Sequence, residues 1–150
     1  MADVREHMTP GYLLRAAQQI SACTSRVYIL TGFPVGDSFE TDGPAGAMAL
    51  YRLCQQLGSD PVILSDKQVV AALHEDFNCL PLPDSTGDDA RAATDALYRS
   101  QPPALLISIE RPGSAADGRC YNMAGTDITA RCGGAESYLV QANCPTIAIG

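Results

Sequence analysis

The sequence predicts an α/β fold, a mostly parallel twisted sheet with helices on both faces. Three observations carry that expectation. Short β-rich runs alternate with stretches of helical period along the chain. The runs "RVYIL", "PVILS" and "PALLISIE" are apolar almost throughout instead of alternating, as strands covered on both sides must be. A length of 150 residues is enough for a single domain, 1–150, with a two-sided core.

The first element, "TPGYLLRAAQQISA" (9–22), reads as a helix. Thr9 can cap it, Pro10 suits its first turn, and Leu13, Leu14, Ala17 and Ile20 share a face. "RVYILT" (26–31) is a buried strand that ends against Gly32. A helix starts near Pro44, capped by Asp42 or Thr41, and stops at Gly58. Its apolar stripe is Ala47, Leu50, Tyr51, Cys54 and Leu57. "PVILS" (61–65) is the second strand, "DKQVVAALHEDF" (66–77) a helix with Asp66 at its cap, and "CLPLP" a short third strand. "STGDDARAATDALYRSQ" (85–101) is helical, with acids in the first turn where the helix dipole favours them. "PALLISIE" (103–110) is a strand, "GGAESYLVQAN" (133–143) a helix and "PTIAIG" (145–150) a last strand. The class is Rossmann-like and doubly wound, in an incomplete version.

Composition narrows the partners. Apolar residues make up 46% and charged residues 18%, which is ordinary for a globular chain. Net charge is −7, Lys67 is the only lysine, and no Lys/Arg cluster occurs, so neither nucleic acid nor a basic membrane-surface helix is expected. No apolar run reaches the roughly 20 residues of a membrane span. Six cysteines (23, 54, 79, 120, 132, 144) show no CxxC and no Cys/His spacing, and read as small buried hydrophobes in a reducing compartment. The expected location is the cytoplasm.

In parallel α/β sheets, ligands bind beyond the carboxyl ends of the strands. Two loops leave those ends, residues 32–43 and 110–127. "GFPVGDSFETDGPAG" (32–46) packs four glycines, two prolines and three carboxylates between a strand and a helix start. "ERPGSAADGRCYN" (110–122) follows the third long run and adds a hydroxyl at Tyr121 and an amide at Asn122. Together they bring Asp37, Glu40, Asp42, Glu110, Arg111, Asp117 and Asn122 to one rim.

Three ligand classes could use an acidic rim with one guanidinium. Mg²⁺ or Mn²⁺ would take hard oxygen donors, with Glu40, Asp42 and Asp117 as the ligands if a metal is present. A small amino or hydroxy acid would place an ammonium on the carboxylates and its own carboxylates on Arg111 and helix-terminal N–H groups. A nucleotide fits poorly, because the first loop is neither GxGxxG nor a P-loop and its acids repel phosphate. Each feature also has a purely structural explanation. Thr41 or Asp42 could serve as cap, Gly43, Pro44 and Gly46 as turn formers, Arg111 as partner of a neighbouring carboxylate, and Asp117 as a turn residue. His7 and His74 fit no ligand spacing, and no GxSxG supports a serine nucleophile.

The two blocks "TGFP…ETDGPAGA.AL" and "IERPGSAADGRCYN" resemble the C-terminal domain of the D-glutamate cyclase-like family, from Thr31 to the chain end. The resemblance implies an α/β fold and a lyase of amino-acid metabolism that closes D-glutamate to 5-oxo-D-proline with loss of water. Matching positions are Gly32, Glu40, Thr41, Asp42, Gly43, Pro44 and Gly46, then Glu110, Arg111, Gly113, Asp117, Gly118, Tyr121 and Asn122. Ring closure needs an acid, a base and an oxyanion stabiliser. Clustered carboxylates separate in pKa, which suits paired acid–base work. The expected roles are Glu40 and Asp42 as ammonium ligand and base, Glu110 as acid and Arg111 as carboxylate clamp. Gly32, Thr41, Gly43, Asp117, Tyr121 and Asn122 would line the substrate. An Asp-Gly-Gly-Asn-Glu segment expected after "TIAIG" has no counterpart before Gly150. The expectation is therefore a partial family domain that self-associates into a homo-oligomer. The alternative to an enzyme is a catalytically incomplete small-molecule, metal-binding or oligomerisation module.

Overall fold

A strand covered on both faces needs apolar side chains at every position, and three runs of this chain supply them. The computed structural model describes residues 7–84 and 87–150. In order it forms α1 (Tyr12–Ala22), β1 (Arg26–Thr31), β2 (Pro34–Val35), β3 (Ser38–Phe39), α2 (Asp42–Gln56), β4 (Asp60–Ser65) and α3 (Lys67–Leu73). It continues through β5 (Cys79–Pro81), α4 (Asp88–Ser100), β6 (Leu105–Ile109), a 3-10 turn (Thr129–Arg131), α5 (Ala135–Val140) and β7 (Thr146–Ile149).

Five strands form one parallel sheet in the order β5-β4-β1-β6-β7. The chain starts in the middle, winds outward through β4 to β5, then returns to β6 and winds the other way to β7. This is a doubly wound sheet, with its reversal of winding between β1 and β6. Thr31 is level with Ile109 there, so both strands release their loops side by side.

Period-two alternation sorts the central strands onto two layers. Val27, Ile29, Ile63 and Ile107 pack with Ala47, Tyr51 and Cys54 of α2. Tyr28, Leu30, Leu64 and Leu106 pack on the opposite face with Ala135 and Tyr138 of α5, alongside Leu97 and Tyr98 of α4. Helices thus cover both faces, as the sequence predicts. Among the described residues no helix is long and apolar enough to cross a membrane.

Several boundaries differ from expectation for local reasons. α1 begins at Tyr12 after a left-handed Gly11, and Thr9 does not cap it; its carbonyl accepts from Arg15 Nη2 at 3.0 Å. α3 stops at Leu73 rather than at residue 77, because the chain turns to bury Phe77 beside Tyr51. α4 begins at Asp88; Ser85 and Thr86, read as part of that helix, lie outside the described residues. α5 is shorter than 133–143, since Gly133 is left-handed (φ +52°) just before it. The first loop also hides an element: β2 and β3 form an antiparallel hairpin through Gly36 and Asp37.

Candidate functional site at the strand reversal

The rim is built by glycines that let three elements close on one point. A Cβ on Gly43, at the start of α2, would stand 2.8 Å from Glu110 Cβ and 2.9 Å from Thr31 Oγ1. One turn on, a Cβ on Gly46 would meet Ile109 Cδ1 at 2.5 Å. No side chain fits there, so the helix start presses directly on the exit of β6. Gly32 is left-handed (φ +109°), and a Cβ on it would lie 2.8 Å from Ser65 Oγ.

The space beside Gly32 holds a buried ion pair. Arg111 Nη1 donates to Asp66 Oδ2 at 2.5 Å and Nη2 to Asp66 Oδ1 at 3.1 Å. Nη1 also reaches the carbonyls of Thr31 (3.2 Å) and Gly32 (3.1 Å), and the Arg111 side chain is only 3% exposed. Arg111 therefore ties together the ends of β1, β4 and β6. The guanidinium expected to clamp a substrate carboxylate is occupied in this structure, and its buried Nε has no partner among the described residues. Burial raises the Asp66 carboxyl above its ordinary value, against the lowering effect of Arg111 beside it.

Glu110 has the opposite character. Its backbone is left-handed (φ +46°), the one non-glycine residue among those described with positive φ. Its N–H donates to Ile149 O at 3.0 Å, which pins it to β7. Its carboxylate makes no hydrogen bond or ion pair with any described residue, and neither does that of exposed Glu40. Such a conformation costs about 1 kcal/mol or more and persists only where surrounding contacts impose it.

The opening residues of α2 bear on which anions this rim accepts. Asp42 Oδ1 accepts from Gly43 N at 2.9 Å, Pro44 has no N–H, and Ala45 N bonds Thr41 O. The helix start thus satisfies most of its own donors and supplies its own negative charge. Thr41 occupies the cap position without a side-chain cap bond. A phosphate finds little here to bind.

The second loop is fastened chiefly to itself. Tyr121 donates its hydroxyl to Asp117 Oδ2 at 2.6 Å, and this bond holds the Asp117 carboxyl below its usual range. Asn122 Oδ1 accepts from Ala124 and Thr126 N–H groups. Asp117, Tyr121 and Asn122 therefore shape the loop in this structure. No three His, Cys, Asp or Glu side chains among the described residues gather as a metal ligand set, so Glu40, Asp42 and Asp117 do not form one.

Residues outside the expected set join the two loops. Arg131 Nη1 donates to Gly36 O, and its Nη2 to Ser38 O at 2.7 Å. Phe33 of the first loop packs on Cys120, Ile128 and Cys132 of the second. Burial and the neighbouring Cys120 thiol push Cys132 up to about 12, the behaviour of an inert core thiol. All six cysteines are free, and Cys54, Cys120 and Cys132 are buried.

Three cavities lie around this rim. One of about 310 Å³ runs along α5 and reaches Pro112, Ser114 and Gly118. One of about 160 Å³ lies between the β2–β3 hairpin and α3, with Asp66 in its wall. A shallower one of about 850 Å³ includes Asn122. Glu40, Asp42, Glu110 and Arg111 line none of the three.

The fold is a doubly wound α/β domain whose two loops leave β1 and β6 side by side at the strand reversal. Its sequence matches the family described as D-glutamate cyclase-like, C-terminal, over residues 1–150. The chain belongs to that family. It is also similar to a human protein, "D-glutamate cyclase, mitochondrial" (Homo sapiens), at 33% identity over 130 residues, covering 73% of this chain and 21% of the human protein. The chain thus spans about a fifth of the length of that curated relative.

Proposed function

We propose that this chain carries a D-glutamate ring-closing site, converting D-glutamate to 5-oxo-D-proline with release of water. The observation that supports it most is Glu110: a residue in a strained backbone, its carboxylate without a partner among the described residues, held at the reversal point against the start of α2. In the reaction the ammonium loses one proton to a base, its nitrogen bonds the γ-carboxyl carbon, and one γ-oxygen leaves as water with the nitrogen's second proton and a proton from an acid. Glu110 protonates that leaving oxygen. Glu40 or Asp42, carried at the mouth of α2, takes the amine proton. Arg111 acts from beneath, fixing the backbone of Thr31 and Gly32 instead of touching substrate. Among the described residues no three His, Cys, Asp or Glu side chains gather as a ligand set, and the steps are written as proton transfers between carboxylates.

The test is incubation with D-glutamate and chiral chromatography for 5-oxo-D-proline, with L-glutamate as control. Product from wild type and none from Glu110→Gln, with folding intact, supports the proposal. No product from a folded wild type with or without Mg²⁺ or Mn²⁺ overturns it. A second reading, a binding module without turnover, is favoured by the absence of Glu40, Asp42 and Glu110 from the walls of the three cavities. It predicts a melting shift with D-glutamate but no product.

A further inference from the structure

The cavity between the β2–β3 hairpin and α3 holds charges of both signs that the ring-closing roles leave unused. Asp66 and Arg131 are in its wall, with Lys67 and Asp84 paired at its exposed rim. Gln68 spans it, touching Asp37 O through its amide nitrogen. At about 160 Å³ it is smaller than the roughly 300–1,000 Å³ of drug-sized sites, and so matches a metabolite of amino-acid size.

Its polar groups keep capacity in reserve. Each Asp66 oxygen accepts one bond from Arg111, which leaves a lone pair on each. Residue 133 is glycine, so no side chain stands against Oδ1: a Cβ there would lie 3.0 Å from that oxygen and 3.1 Å from Leu82 Cβ. Arg131 spends two N–H groups on the hairpin carbonyls and a third on Gln68 Oε1 at 3.5 Å, which leaves two of its five. Pro34, Phe39, Val69 and Leu82 supply apolar walls, which strengthen charge pairing by excluding water.

We propose that this cavity seats an acidic amino acid, Asp66 bonding its ammonium group while Arg131 and Lys67 bond its carboxylates. This rests on the D-glutamate reading and makes the cavity a recognition seat on α3 and the 3-10 turn, apart from Glu40, Asp42 and Glu110, which do not line it. An ammonium carries three donors, so one bond to Asp66 leaves two N–H groups for other partners. Lys67, with one exposed partner, can swing from Asp84 to a ligand carboxylate at little cost.

The probe is D-glutamate itself, titrated into the ¹⁵N-labelled full chain. The proposal expects amide shifts at Gln68, Arg131 and Gly133. It also expects Lys67→Met and the cavity-filling Gln68→Trp to weaken binding by about tenfold or more, as loss of a charge-assisted bond or of the space should. Asp95→Asn, on an exposed face of α4, should bind as wild type. Undiminished binding in both cavity variants overturns the proposal, as does no binding to wild type at millimolar D-glutamate. The two readings fail separately. Product formed with unchanged KM in Lys67→Met and Gln68→Trp keeps ring closure and removes this seat. Binding that both variants weaken, with no product, keeps the seat and removes turnover.

Discussion

Asp66 and Arg111, 45 residues apart in sequence, meet in a two-bond ion pair (2.5 and 3.1 Å) across the carboxyl ends of three parallel strands. Asp66 follows β4, Arg111 follows β6, and the guanidinium also holds the carbonyls of Thr31, the last residue of β1, and of Gly32 just past it. The pair is a structural keystone for both loops of the candidate site.

Removing one partner should be worse than removing both. Arg111→Met leaves a half-buried carboxylate uncompensated, for which about 3 kcal/mol is the expected loss. Asp66→Asn/Arg111→Met should cost less than the sum of the two single changes, because each single variant strands a polar group. Urea unfolding of the four proteins measures the coupling. Additive losses would mean that the two side chains stabilise the fold independently.

Gly43→Ala tests the contact between α2 and Glu110. Its added methyl would sit 2.8 Å from Glu110 Cβ, a distance real Cβ atoms do not reach, so helix or loop must shift. Overpacking of this kind costs about 1–3 kcal/mol. Under the ring-closure proposal, kcat should fall further than stability does, since the shift displaces Glu110 itself. A variant with unchanged product formation would detach Glu110 from the chemistry.

What the sequence disclosed here was local, and what it withheld was long-range. β1 begins and ends where its apolar run does, because burial on both faces leaves nothing else to read. The α2 stripe of Ala47, Tyr51 and Cys54 is buried as its spacing requires, while Leu57 stays exposed past the end of the helix. Asp66 was legible only as a helix cap. It does sit at that position, but its carboxylate makes no cap bond and turns to an arginine that no local pattern could nominate. Arg131 reaches Gly36 across 95 residues, and nothing near it in sequence marks that contact. The β2–β3 hairpin did have a signal, Gly36-Asp37 between short β-formers. Two prolines and three acids around it made the stretch read as open loop.

The carboxylates of the two strand ends should titrate in opposite directions. Burial raises Asp66, so its contribution to stability is complete below the ordinary carboxylate value and is lost as pH climbs through the folded-state value. Asp117, lowered by the Tyr121 hydroxyl, contributes above the ordinary value and loses that contribution as pH falls through its folded-state value. Carboxyl ¹³C NMR should place the two midpoints on either side of ordinary aspartate. Tyr121→Phe should move Asp117 upward, and Arg111→Met should move Asp66 further up. A downward move of Asp66 in that variant would show that burial is not the dominant influence on it.

Glu110→Gly separates strain from chemistry. At φ +46° the glutamate occupies a region where its Cβ is penalised and glycine is not. Relief of that strain is opposed by the greater freedom of glycine in the unfolded chain. The variant should therefore range from unchanged to about 1 kcal/mol more stable than wild type. Under the ring-closure proposal product formation should nevertheless disappear, because the proposed general acid has gone while the Gly43 contact surface and the Asp66–Arg111 pair remain. Glu110→Gln keeps the strain, so it should match wild type in stability and Glu110→Gly in its lack of product. This triplet of proteins separates a use for the carboxylate from a use for the backbone conformation. If Glu110→Gly is active, or clearly less stable than wild type, the left-handed glutamate serves the fold and not the reaction.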